Sequence, residues 1–409
     1  MFYKMECFVH RWDSSKISCL LLQTRILYLY YPTPLPSADM LAASWLRMTR
    51  AGCLLPRVTT RTIFSHGRLG IDPSLFVESE ASLQPGQTIF KEKVKQNFVT
   101  SGLRNVLTDD IDKFIALSVS GEDLEVAGSM VLEVAKDEVL QSIQPNSELD
   151  LFLSFNQACH LLDKPQEASQ AWAGLKEGST PASSNRLYKA SIVYQDLLLK
   201  HGLHEELLQF FSLHEHHLLK FTASTLPVLL ALYKLGTRES LARSVGILFH
   251  HAGDKRGKWL TEKMAIATAL HAFKLEEYAK AQAILQQTVS RTFINRNAPL
   301  LIASLQMQVM AHSDRLDEAV ELLRGFVPRK VKRLVEDGRD GNKRVVIYSA
   351  VESVVAAASG AEKEVFAEVM ELVEKIEESA DVVEGTMEEI LFKEIELREK
   401  TTSAVSVDD

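Results

Sequence analysis

The chain has 409 residues, of which 46% are hydrophobic and 24% charged, with 19 glycines and 12 prolines. This excludes a disordered or collagen-like chain and suits helices, and the length is ordinary for an elongated array rather than one compact core. The net charge of −8 excludes a general polycation, but it is segregated: residues 1–71 sum to +6, 72–323 to −7, 324–344 to +5 and 361–409 to −11. Of the four cysteines, Cys7, Cys19, Cys53 and Cys159, one falls in the central region, which excludes a disulfide framework there and points to a reducing compartment.

At the amino terminus, residues 40–71 hold no acid but carry Arg47, Arg50, Arg57, Arg61 and Arg68, with Leu41, Trp45, Leu46 and Leu54 between them. An Arg-rich, acid-free, amphipathic stretch is the composition of a mitochondrial transit peptide. It opens on Met40, an alternative start that would make residues 1–39 an upstream extension. Residues 17–31 are apolar and aromatic, but Arg25 interrupts them and they fall short of the ~20 residues of a membrane span. We therefore expect an extension with a transit peptide over 1–71, a matrix location and no membrane span. A linker with one basic helix (90–98, with Lys91, Lys93 and Lys95) is expected over 72–106.

From 107 to 326 one pattern recurs. A polar break is followed by a short helix opening on an acid and a small or apolar residue: Leu124-Glu125-Val126-Ala127, Pro165-Gln166-Glu167-Ala168, His204-Glu205-Glu206-Leu207, Arg238-Glu239-Ser240-Leu241, Glu276-Glu277-Tyr278-Ala279 and Leu316-Asp317-Glu318-Ala319. Successive last positions differ by 41, 39, 34, 38 and 40. Such a period marks stacked helical hairpins, each unable to bury its apolar face alone. The spacing predicts six hairpins: 108–117 with a helix to about 140, 147–162 with 165–176, 186–201 with 203–219 across Gly202, 225–235 with 237–251 across Gly236, 260–273 with 275–289, and 298–312 with 314–326. No alternating strand pattern of useful length is present.

Beyond Phe326, residues 329–344 are basic. Helices are expected over 344–358, over 362–379 (Val365, Phe366, Val369, Leu372, Val373 and Ile376 on one face) and over 386–400, with a disordered tail at 401–409. The span 327–400 then reads as a basic segment and a helical C-terminal cap. The fold class expected is all-α: a superhelical solenoid of helix-turn-helix repeats.

No catalytic motif emerges. His214-Glu215 lacks the second histidine of a zinc protease, since position 218 is Leu, and Cys159-His160 has no partner Cys-x-x-Cys. The loop 253–258 is one residue short of a phosphate loop, with Trp259 in place of Ser or Thr. Residues 337–342 lack the alternating carboxylates and the closing Glu of a calcium loop. We expect no enzyme, metal, cofactor or small-molecule substrate. What remains are basic and aromatic residues at the junctions between hairpins: Lys255, Arg256, Lys258 and Trp259; Arg291, Phe293 and Arg296; and Arg329, Lys330, Lys332 and Arg333. Single-stranded RNA is held by cationic contacts to its backbone and by stacking of its bases, so these residues are the candidate RNA contacts.

Lys91-Glu92-Lys93-Val94-Lys95-Gln96-Asn97, the hairpin 112–135 with Glu122-Asp123-Leu124-Glu125-Val126-Ala127, the stretches 185–211 and 343–355, and the tail through Glu384-Gly385-Thr386 follow in an order and spacing that resembles the pentatricopeptide repeat family. Most units here are longer than the family's usual repeat, and the pairs of base-reading side chains are not placed. The resemblance implies a mitochondrial matrix protein that binds single-stranded mitochondrial RNA and supports mRNA processing, with the cytochrome b message as target, and so respiratory-chain expression. In that role it would present a cleavage junction to a separate processing nuclease. Two alternatives stay open: a component or assembly factor of the mitochondrial small ribosomal subunit, and a tetratricopeptide-like protein-binding scaffold.

Overall fold

Paired helices with short turns dominate the chain, as the periodicity demands. The computed structural model describes residues 62–136, 147–175, 185–251, 258–291, 298–327, 345–379, 381–383 and 385–392, all within the unit Thr60–Asp409. In chain order these form α1 (His66–Leu69) and α2 (Pro85–Ser101), then six pairs. The pairs are α3 (Thr108–Ala116) with α4 (Gly121–Lys136), α5 (Ser147–Leu161) with α6 (Pro165–Gly174), α7 (Asn185–Lys200) with α8 (His204–Leu218), α9 (Thr222–Leu235) with α10 (Arg238–His251), α11 (Lys258–Lys274) with α12 (Tyr278–Arg291), and α13 (Ala298–Ala311) with α14 (Leu316–Phe326). After them come β1 (Val345–Ile347), α15 (Tyr348–Ala358), α16 (Lys363–Ser379), β2 (Asp381–Val383) and α17 (Met387–Leu391). The chain is thus mostly helical, as expected. No helix among the described residues is long and apolar enough to cross a membrane.

The turn inside each pair explains the repeat. In five consecutive pairs the first helix is followed within three residues by one with positive φ: Asp163, Gly202, Gly236, Glu276 and Asp314, all between 54° and 70°. Subtracting successive positions gives 39, 34, 40 and 38. A left-handed residue reverses the chain while letting the next N–H groups reach back to the last carbonyls. Gly202 donates to Leu199 O at 3.0 Å and Leu203 to Leu198 O at 2.9 Å, while Glu276 donates to Phe273 O and Glu277 to Ala272 O, both at 2.9 Å.

The two helices of a pair differ in burial, and that difference builds two layers. First helices are buried almost all round: in α9 every residue from Ser224 to Tyr233 is buried. A helix apolar on all sides needs neighbours on all sides. Accordingly α5 packs on α7, α7 on α9, α9 on α11 and α11 on α13, forming one row. Second helices bury one stripe, such as Ala319, Val320, Leu323 and Phe326 of α14. Each second helix lies against its own first helix and the next one. Between α6, α7 and α8, Trp172 meets Phe210 at 4.9 Å and Phe152 of α5 at 4.8 Å, and its indole donates to Asn156 at 3.0 Å. Beyond the sixth pair, α15 packs on α13 and α16 on α15, so the expected cap extends the row by one more pair.

The structure corrects three expectations. Residues 62–71, assigned to the transit extension by their lack of acids, are built into the row: Ile63, Phe64, Leu69 and Ile71 are 0–4% exposed. The basic helix of the linker is longer than expected, Pro85–Ser101, and is tied to α4 by the buried pair Lys91–Asp123 at 2.9 Å. Strands were not expected, yet β1 pairs with β2 in parallel (Val345↔Asp381 through Ile347↔Val383), so the helix expected from 344 starts at Tyr348. The β-branched run Val345-Val346-Ile347 favours extended backbone. Smaller shifts follow packing: α9 begins at Thr222, so Pro227 lies inside the helix rather than in its first turn. The extension up to residue 61, the basic segment 328–344 and the end of the last expected helix with the tail, 393–409, lie outside the described residues.

Candidate nucleic-acid interface

The residues singled out as RNA contacts lie mostly beyond what the structure describes. Lys255, Arg256, Phe293, Arg296, Arg329, Lys330, Lys332 and Arg333 are outside the described residues. Lys258 and Trp259 open α11 and Arg291 closes α12, with their side chains likewise outside. Element order still relates them. Each cluster falls where the second helix of one pair hands over to the next element: α10 to α11, α12 to α13 and α14 to β1. No contact among these side chains is described.

The described row of first helices offers a different set, which the sequence reading missed. Counting back two residues from each left-handed turn gives Leu161, Lys200, Lys234, Lys274 and His312. Three consecutive pairs therefore carry a lysine at one register. A cation in the last helical turn is favoured by the helix dipole, and stacking the pairs lines these residues up from one pair to the next. Lys200 pairs with Asp163, the turn residue of the preceding pair, which also meets His201 at 3.5 Å. Lys274 lies 4.9 Å from the ring centre of Tyr233 in the preceding pair. Aligning the chain on its turns, rather than on its acidic helix openings, would have found this series.

The first and the last of the described segments lie against this row. At the amino-terminal end, fully buried Asp196 of α7 reads two consecutive peptide groups. Its Oδ1 accepts from Ile63 N at 2.9 Å and Phe64 N at 3.2 Å, while His160 Nε2 of α5 meets Oδ2 at 2.9 Å. His66 stands edge-on to His160 at 5.8 Å, and Gln157 donates to Gly70 O at 2.9 Å. Backbone N–H groups and a histidine give a buried carboxylate the partners it needs, so this end is locked.

At the carboxyl-terminal end α17 lies on α9 and α11. Met387 and Leu391 are buried, and Thr386 and Glu389 form a reciprocal cap at the start of the helix. Glu388 takes the Tyr233 hydroxyl on Oε2 at 2.9 Å and pairs with Lys234 through Oε1. The Lys234 ammonium also lies 4.4 Å from the ring centre of Phe392. Burial pushes the Glu388 carboxyl up, but Lys234, the Tyr233 hydroxyl and Lys274 outweigh it and hold it below the usual range. Burial, then Glu388, pushes Tyr233 up. Beneath them His271 is fully buried, with Nε2 3.3 Å from Ser240 Oγ, and burial lowers it to about 4.

Among the described residues no group of three or more His, Cys, Asp or Glu side chains is placed to hold a metal ion. What the row offers is cationic and aromatic: ammonium groups at one register, a tyrosine ring beneath two of them, and acids already seated on Lys200 and Lys234. Comparison with known proteins adds no relative: no family model, no curated protein and no solved structure matches the chain.

Proposed function

We propose that this chain is a solenoid of pentatricopeptide-like helical hairpins that binds single-stranded RNA in the mitochondrial matrix and supports mRNA processing. The observation that carries the reading is the repeated turn: five left-handed residues spaced 34 to 40 apart, with a lysine two residues before three of them in succession. A series of cations at one register suits a polymer of evenly spaced phosphates. The basic junctions around Lys255, Arg291 and Arg329 extend this supply of charge. The mechanism is passive: the array holds a strand, excludes competing RNA structure and presents a junction to a separate nuclease. The cytochrome b message is the target implied by resemblance.

The segregated charge favours one other reading. Residues 72–323 sum to −7, and acids sit on two of the three lysines in register, as in a scaffold that binds protein. Ultraviolet crosslinking of the tagged protein in intact mitochondria, with sequencing of the bound RNA, separates the readings. Reads piled at a message boundary support a processing factor. Reads confined to small-subunit ribosomal RNA point to the ribosomal role, and none above an untagged control points to a scaffold.

A further inference from the structure

The place on the row where Lys234 and Lys274 come closest to Tyr233 is occupied by the chain itself. A carboxylate from one short helix and the aromatic ring that follows it meet the Lys234 ammonium there: Glu388 as an ion pair and Phe392 at 4.4 Å. Glu388 also accepts from the Tyr233 hydroxyl, and Lys274 faces the same tyrosine ring from 4.9 Å. An anion and a flat ring over one ammonium are the two features that a nucleotide offers as phosphate and base. We propose that α17 is an internal competitor for RNA. Glu388 and Phe392 hold the site of a phosphate and a base, and single-stranded RNA reaches Tyr233, Lys234 and Lys274 by lifting α17 away. The proposal rests on the RNA-binding reading above and deepens it.

Several observations favour a removable helix over a fixed cap. α17 has five residues, too few to persist undocked, so it is helical when seated and disordered when released. Two side chains, Met387 and Leu391, are its fully buried apolar hold on the row, with Ile390 and Phe392 partly buried beside them. The Glu388–Lys234 pair is partly solvent-exposed, at 40% and 35% of the side-chain surface, so water and phosphate can compete for it. β2, just before α17 in the chain, is held by its own parallel pairing with β1, so release of α17 does not by itself require the array to unfold. Residues 361–409 sum to −11, so the segment bearing α17 is attracted to cations until a denser anion replaces it.

The test uses the full chain and a fluorescein-labelled oligouridylate, read by fluorescence anisotropy. Glu388→Gln with Phe392→Ala keeps Met387 and Leu391 but removes the competing anion and ring. It should bind the oligonucleotide about tenfold more tightly, because the open state no longer has to be selected from a closed one, and with a steeper salt dependence. Adding Lys234→Gln and Lys274→Gln should abolish that gain. If the double variant does not fold, Glu388→Gln alone should give a gain of the same sign, about threefold. Unchanged or weaker binding by the opened variants, with the unaltered chain still binding, overturns the competitor and leaves the RNA reading standing. If no form of the chain binds, the RNA reading falls with it.

Discussion

Two segments lie on the same row of first helices and are held by different physics. Residues 62–71 are fastened through Asp196, fully buried, whose three hydrogen-bonding partners come from segments far apart in sequence. α17 is fastened through Glu388, half-buried, whose partners Tyr233 and Lys234 are neighbours on one helix. The first arrangement ties three parts of the fold together and leaves buried groups stranded if broken. The second ties one short helix to one spot and leaves only groups that water can satisfy. A carboxylate's burial, more than its number of partners, separates a structural clamp from a removable contact.

The largest effect is expected where the clamp is broken. Asp196→Ala strands His160 and the N–H groups of Ile63 and Phe64, and should cost about 3–5 kcal/mol in chemical denaturation. A loss under ~1 kcal/mol would place Asp196 with ordinary surface groups and erase the contrast.

Next comes acid. His271 sits beneath α17 with its pKa lowered from 6.5 to about 4, burial being the main cause. Below pH 6.5 the unfolded chain takes up a proton that the folded chain refuses until about pH 4, so stability falls as the pH drops through that window. Denaturation midpoints at the two ends of the window should differ more for the unaltered chain than for His271→Gln. Burial pushes the Glu388 carboxyl up, but Lys234 and the Tyr233 hydroxyl outweigh it and hold the carboxyl below its usual range, so α17 stays fastened above that range and is freed as acid protonates the carboxylate.

The turns supply smaller effects of opposite sign. Gly202 has φ 70°, so Gly202→Ala should cost about 1 kcal/mol. Glu276 has φ 61°, so Glu276→Gly should stabilise by up to about 1 kcal/mol. Paired thermal melts read both, and equal signs would contradict the turn assignment. Smallest of all, Glu388→Gln should change global stability by less than about 1 kcal/mol, because its pair is partly solvent-exposed.

What the sequence revealed follows the range of the interactions. The six pairs were legible because their helices need apolar residues at helical spacing and polar breaks between them. Gly202 and Gly236 were legible as turns because glycine is the residue that most easily takes positive φ. Asp163, Glu276 and Asp314 take the same conformation without advertising it, since packing of the paired helices imposes it. Ile63 and Phe64 were misassigned because their acceptor lies 133 and 132 residues away and no local pattern points to it. The β1–β2 pairing spans three residues, too few for an alternation to stand out. The lysines in register were overlooked because basic residues are denser in the junctions. A single lysine per helix becomes a pattern once the helices are aligned on their turns.

The most direct measurement is hydrogen–deuterium exchange of the full chain, with and without oligouridylate. The account predicts strong protection of the Ile63 and Phe64 amides under both conditions. It predicts weaker protection across Met387–Leu391 that falls further when the oligonucleotide is added. Equal protection of the two segments, or protection of Met387–Leu391 that rises on binding, would contradict the view that one segment is a clamp and the other a competitor.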